Sequence, residues 1–198
     1  IPARGGSKGL PNKNMIDVNG FPMLDYTISA AKQSEFIDTV VVSSDDEKII
    51  NLALSKNTQA LRRPKEFSTD MSTAHEVVHH FSETVTIKHN IDDVIVCYLQ
   101  PTSPLRNSKH IDEAFKILLK NEKDMLISVS ETVNIPYKMF NIDENGLLAP
   151  IFEEGMSNMR RQDLPKTYIA NGAIYVFPLK VFKKTNKIPS NNSIPFFM

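Results

Sequence analysis

The chain has a single cysteine, no excess of either charge sign and no long apolar run, and each shortage removes a class of function. A lone Cys97 cannot close an internal disulfide, and its place inside an apolar run fits a reduced, cytoplasmic compartment. Lys and Arg number 23 against 23 Asp and Glu, so the composition gives no basic footprint for nucleic acid or an acidic membrane surface. No stretch approaches the roughly 18 apolar residues of a membrane span. No charged-then-apolar leader opens the sequence. Internal repeats and low-complexity segments are lacking as well. The expected setting is cytoplasmic, with neither nucleic acid nor membrane as a partner.

What is present is an alternation. Apolar, β-branched runs at Thr39–Ser44, Val94–Leu99, Met125–Val129 and Ala173–Phe177 predict strands, and their continuity predicts burial on both faces, as in parallel sheets. Between them, helical spacing predicts helices over Met23–Lys32, Glu47–Ser55, Thr73–Ile87 and Ser108–Leu119, the last opening on a Ser cap. Strand–helix alternation over 198 residues predicts one domain, 1–198, built as a three-layer α/β sandwich with a mostly parallel sheet. Ligands in such sheets bind beyond the carboxyl ends of the strands, so loops 3–14, 43–46 and 100–106 are expected to share one pocket. Residues 131–168 break the rhythm with Pro136, Pro150 and Pro165 and a turn signal at Asn145-Gly146, which predicts a β-hairpin excursion.

Both ends read as trimmed. Ile1 enters where a strand should already be ending, and Ser193–Met198 is apolar with no closing element, so the expectation is a piece of a longer protein.

The richest chemistry lies in the first fourteen residues. An apolar strand end runs into a glycine-rich loop carrying Arg4, Lys8 and Lys13. Glycines let backbone N–H groups approach an anion, and three cations add charge to that concavity. The loop is neither G-x-x-x-x-G-K-[ST] nor G-x-G-x-x-G, so the Walker and dinucleotide loops are excluded. The block A-R-G-G-S-K-G-L-P-x-K-N strongly resembles the acylneuraminate cytidylyltransferases, which make CMP-sialic acids and their bacterial relatives. Three further blocks carry the same resemblance: Leu99–Arg106 (L-Q-P-T-S-P-L-R), Arg63-Pro64 followed by Asp70, and Arg161–Pro165 followed by Asn171–Tyr175.

The resemblance implies a Rossmann-like nucleotidyltransferase fold with residues 131–168 as a dimerisation excursion, hence a homodimer. It implies nucleotidyl transfer: the anomeric hydroxyl of a nine-carbon acidic sugar attacks the α-phosphate of CTP and pyrophosphate leaves. Arg4 and Lys13 would flank the reacting phosphate. Ala3, Arg4, Gly5, Gly6, Ser7, Lys8, Asn14 and Arg63 would hold the nucleotide. Gln100, Thr102, Ser103, Lys138, Arg161 and Asn171 would hold the sugar, and an arginine fork such as that of Arg161 suits a planar carboxylate. Mg²⁺ is the implied cofactor, but the family's aspartates belong to a late S-I-D-I-D motif, and none precedes Met198; the ligands are expected beyond it. No general base stands out: Asp45 is a candidate, although a helix N-cap is the favoured role for Asp45 or Asp46.

Three rivals remain. The related 3-deoxy-octulosonate cytidylyltransferases differ at the loop occupied here by Gly5–Lys8. A zinc hydrolase would use His75, Glu76 and His79, which match H-E-x-x-H on a predicted helix, with His80 and His89 solvated nearby. A non-catalytic nucleotide- or sugar-binding protein would lack the metal aspartates altogether.

Overall fold

Apolar residues decide where the chain crosses its core, and they do so in two helix-covered layers around sheets. The computed structural model describes residues 1–6, 9–86, 90, 94–121, 125–188 and 192–198. Along the chain, the strands are β1 (Asp17–Val18), β2 (Phe21–Pro22), β3 (Val41–Ser44), β4 (Gln59–Arg62), β5 (Ile95–Tyr98), β6 (Leu126–Glu131), β7 (Phe140–Ile142), β8 (Leu148–Pro150), β9 (Tyr168–Pro178) and β10 (Ile194–Phe197). The α-helices are α1 (Met23–Lys32), α2 (Glu47–Ser55), α3 (Ala74–Thr86), α4 (Ser108–Leu119) and α5 (Leu179–Thr185). Residues 1–128 and 172–196 form one compact unit, and residues 129–171 with 197–198 form another.

In the first unit, β3 and β4 pair in parallel, and Ile1–Ala3 runs parallel to β3 through a Pro2–Ser43 bridge. A second sheet has the order β10-β6-β9-β5, in which β5 and β9 are antiparallel. The sheet structure is therefore mixed where a mostly parallel sheet was expected. The apolar runs announce burial but not direction, because direction is set by the strand alongside.

Strand periodicity explains the layers. On β9, Ile174 and Val176 pack with Ala30, Ala31 and the α4 residues Ile111, Ala114, Phe115 and Leu118, while Phe177 and Tyr175 pack with Val77, Val78 and Phe182. On β5, Cys97 belongs to the first cluster, and Val96 and Tyr98 to the second. Successive side chains point to opposite faces, so a continuous apolar run feeds two cores at once. Burial pushes the Cys97 thiol up to about 12, which makes it a packing group and not a nucleophile. A third cluster joins Ala3, Leu24, Ile28, Val42, Ile49 and Ala53.

Helix caps correct one expectation. Ser108 is the first helical residue of α4; Asn107 is the cap, its side chain accepting from His110 N–H while His110 Nδ1 accepts from Asn107 N–H. The Ser193–Met198 stretch, expected to lack a closing element, contains β10 beside β6.

In the second unit, β7 and β8 form the hairpin expected at Asn145-Gly146. Asp143 closes its turn by accepting from the N–H groups of Asn145 and Leu147.

Candidate functional site

The site begins where Ile1–Ala3 stops. Ala3 is buried and its N–H bonds Ser43 O at 2.9 Å, which locks this stretch onto β3, so that residues 4–6 follow at the carboxyl end of β3. Gly5 N–H then donates to Asp45 Oδ1 at 3.0 Å, and Asn14, buried, donates its Nδ2 to Arg4 O at 2.9 Å. Asp46 caps α2 by accepting from Lys48 and Ile49 N–H. A Cβ on residue 5 would sit 2.7 Å from Asp46 Cβ, so only glycine lets the loop lie against this cap. Of the two aspartates open as base or cap, Asp46 is thus the cap. Asp45 fastens the loop, and its Oδ1 is committed to a backbone amide. Lys13 opens the 3₁₀ helix Lys13–Met15 directly after Asn12, a left-handed residue at φ 52°. A cavity of about 200 Å³ lies beside the loop, lined by Gly5, Asn12, Met15, Asp46, Lys48 and Ile49.

Arg63 follows β4. Its N–H bonds Ser44 O at 2.8 Å, its Nε donates to Ser68 Oγ at 3.0 Å, and it is only 3% exposed. Burial lowers its pKa; Asp45 and Tyr98 oppose that, and the neighbouring Arg4 adds to it. Arg4 itself pairs with Asp70 at 2.7 Å. Arg4, held by a carboxylate, and the neighbouring buried Arg63, held by a hydroxyl, put two cations at this end of the unit, an arrangement suited to an anion richer in charge than one carboxylate. His80, expected to be solvated, instead has an Nδ1 buried without a partner among the described residues, and burial followed by Arg63 lowers its pKa. Nothing local in the sequence marks that position.

Beyond β5, Gln100 is half-buried, Thr102 is exposed, and Ser103 O accepts from Arg106 N–H at 3.1 Å. Arg106, the last residue of the L-Q-P-T-S-P-L-R block, is 2% exposed. Lys138, Arg161 and Asn171 belong to the second unit. Lys138 Nζ donates to Ser157 O, Asn171 Nδ2 to Met198 O, and Arg161 is exposed at the start of a short 3₁₀ helix. Ala3, Arg4, Gly5, Asn14 and Arg63 thus share one end of one unit, with Gly6 and Lys13 on the same loop. Ser7 and Lys8 lie outside the described residues, as does His89.

The zinc reading fails on partners. Glu76 accepts from Thr73 N–H at 2.6 Å, and Thr73 Oγ1 accepts from Glu76 N–H, so the glutamate closes a helix cap. His75 Nε2 lies 2.7 Å from Asn186 Oδ1, and its ring packs against Phe182. Among the described residues, no group of three or more His, Cys, Asp or Glu side chains could hold a metal ion.

A profile of the family described as Cytidylyltransferase matches residues 1–182. The pseudaminic acid cytidylyltransferase of Campylobacter jejuni is 35% identical over 199 residues, covering 100% of this chain and 85% of that protein. The N-acylneuraminate cytidylyltransferase of Streptococcus agalactiae is 35% identical over 178 residues, 89% of this chain and 42% of that protein. Among solved structures, CMP:2-keto-3-deoxy-manno-octonic acid synthetase complexed with CTP matches with a TM-score of 0.69 at 15% identity, covering 100% of this chain and 87% of that one. The 4-diphosphocytidyl-2C-methyl-D-erythritol synthase of Anaerococcus prevotii gives 0.62 at 13% identity, covering 100% and 86%. At these identities the two structures speak for the fold alone, a Rossmann-like nucleotidyltransferase sandwich.

Proposed function

The chain belongs to the cytidylyltransferase family, and on that premise we propose that it transfers CMP from CTP to a nonulosonic acid. The anomeric oxygen attacks the α-phosphorus, the Pα–O bond to the β-phosphate breaks, pyrophosphate leaves, and the hydroxyl proton passes to solvent. The observation that carries this reading is the glycine loop bearing Arg4, fastened at the carboxyl end of β3 by Asp45 and Asn14, with the buried Arg63 directly after β4. A triphosphate is the anion such a cluster fits. Relatives named for pseudaminic and N-acylneuraminic acids support an acidic nine-carbon sugar as acceptor.

In this reading Arg4 and Lys13 flank the α-phosphate, and charge developing there is met by groups already in place. Gly5 and Gly6 offer backbone N–H groups, Asn14 ties the loop through Arg4 O, and Arg63 supports the phosphate end. Gln100, Thr102 and Ser103 of the first unit take the sugar; a sugar role for Lys138, Arg161 and Asn171 rests on the family resemblance alone. Positioning does most of the work, since the reaction needs two substrates aligned and charge neutralised. The implied Mg²⁺ finds no ligand cluster among the described residues. We also assign to the second unit the contact with a second copy. A cytoplasmic setting is part of this proposal. Among the described residues, no helix is long and apolar enough to cross a membrane.

The test is pyrophosphate release from CTP by the full chain with Mg²⁺ across a panel of nonulosonic acids, with 3-deoxy-octulosonate as a comparison. Release is expected only when a nonulosonic acid is present. Release without any sugar, or none with every acid tried, overturns the reading.

A further inference from the structure

Gly172 has φ +78° and sits against Gln100: a Cβ built there would lie 2.4 Å from Gln100 Oε1 and 3.1 Å from its Cδ. Real Cβ atoms do not approach that closely, so the Gln100 carboxamide rests on a bare Cα. Its backbone is fixed from the other side. Arg106 Nη1 donates to Gln100 O at 3.0 Å and to Ala173 O at 2.8 Å, and Nη2 donates to Thr27 Oγ1 at 2.5 Å. One buried guanidinium therefore ties the Gln100 loop, the strand residue after Gly172, and α1. Its Nε has no partner among the described residues, and burial lowers its pKa to about 10. A buried cation held only by neutral oxygens is costly. Joining two segments some 70 residues apart in one rigid frame is a return that a surface lysine could not give.

We propose that Gly172 is a positioning residue for the acidic-sugar site, acting through the Gln100 carboxamide that lies on its Cα. This rests on the reading of Gln100 as a sugar contact. Any side chain at 172 drives the carboxamide away from its place, and Arg106 prevents the backbone from yielding. The effect falls on sugar binding and leaves the triphosphate loop untouched.

The test is a double-mutant cycle in the full chain with Gly172→Ala, Gln100→Ala and the pair, measuring KM for each substrate and the thermal midpoint. Gly172→Ala is expected to raise sugar KM about tenfold, the loss of one well-made hydrogen bond, with CTP KM within about twofold. In the Gln100→Ala background, the same change should move sugar KM less than about twofold and recover part of its thermal loss. Backbone strain at φ +78° is common to both backgrounds, so it cannot produce that coupling. Additive effects overturn the proposal. If Gly172→Ala does not fold alone, folding of the pair supports the proposal and failure of the pair overturns it. If Gln100→Ala leaves sugar KM unchanged while the thermal cycle still couples, the contact stands and the reading of Gln100, with the proposed role, falls.

Discussion

At the residue scale, the loop works by holding cations under partial neutralisation. Arg4 has Asp70 as its partner, and Arg63 has the Ser68 hydroxyl on its Nε. Under the proposed function, a triphosphate would outcompete one carboxylate for Arg4 because it presents more charge and more acceptors. Arg4→Ala and Lys13→Ala are expected to lower kcat about a hundredfold, as loss of one transition-state donor does; near-normal kcat for Lys13→Ala would remove it from the reacting phosphate. Arg161→Lys keeps the charge but loses the fork, so sugar KM should rise about tenfold or more with CTP KM unchanged. An equal rise for both substrates would give Arg161 a purely structural role. His80 offers a pH signature. Its folded pKa lies below the unfolded value of about 6.5, so the unfolded chain binds the extra proton and stability falls as pH drops through that value. His80→Gln should flatten the difference in denaturation midpoint between neutral and mildly acid pH; an unchanged slope would mean that His80 charges freely in the fold. The cations of the first fourteen residues were legible in the sequence because glycine and charge sit together locally. The burial of Arg106 was not, since its partners Thr27 and Ala173 are 79 and 67 residues away.

At the scale of elements, legibility followed cause. Helices over Met23–Lys32, Glu47–Ser55 and Ser108–Leu119 have the bounds that apolar spacing predicts, because a helix bonds within itself. Strand ends were displaced, and β9 runs from Tyr168 where Ala173 was expected, because a strand ends where its partners do. The β4 stretch Gln-Ala-Leu-Arg has little apolar signal and exists by pairing with β3. β1 and β2 flank Asn19-Gly20, a hairpin dipeptide with both residues at positive φ, a signal that was there to be read. The α4 cap gives a test at this scale. Asn107→Ala removes the acceptor for His110 N–H and breaks the reciprocal bond, which should cost about 1 kcal/mol in denaturant unfolding. Ser108→Ala, the expected cap, should change stability by less than about half of that. Equal costs would mean that the first helical hydroxyl, and not Asn107, closes this end.

At the scale of the molecule, the two units differ in how much they bury. The first has three apolar clusters on both faces of its strands. In residues 129–171, Leu164 alone is a buried apolar side chain among the described residues. The hairpin instead presents Ile142 at 73% and Leu148 at 70% exposure, with Phe140, Leu147, Ile151 and Phe152 also exposed. So many apolar side chains on one short segment are costly in water, at roughly 25 cal/mol for each Å² left uncovered. A second copy offers the identical patch, and a two-fold interface lets each hairpin cover its twin. The expected solution state is a homodimer at micromolar concentration. Sedimentation equilibrium should give twice the chain mass for the wild type. It should give the monomer mass for Ile142→Asp with Leu148→Asp, because two carboxylates facing their copies across the axis would be desolvated and unpaired. The turn held by Asp143 uses neither side chain, but Ile142 and Leu148 are register partners and two carboxylates there repel, so an unchanged circular dichroism spectrum is needed to tie a monomer mass to the lost interface. A monomeric wild type, or a double variant that keeps twice the chain mass, would move the contact away from β7 and β8.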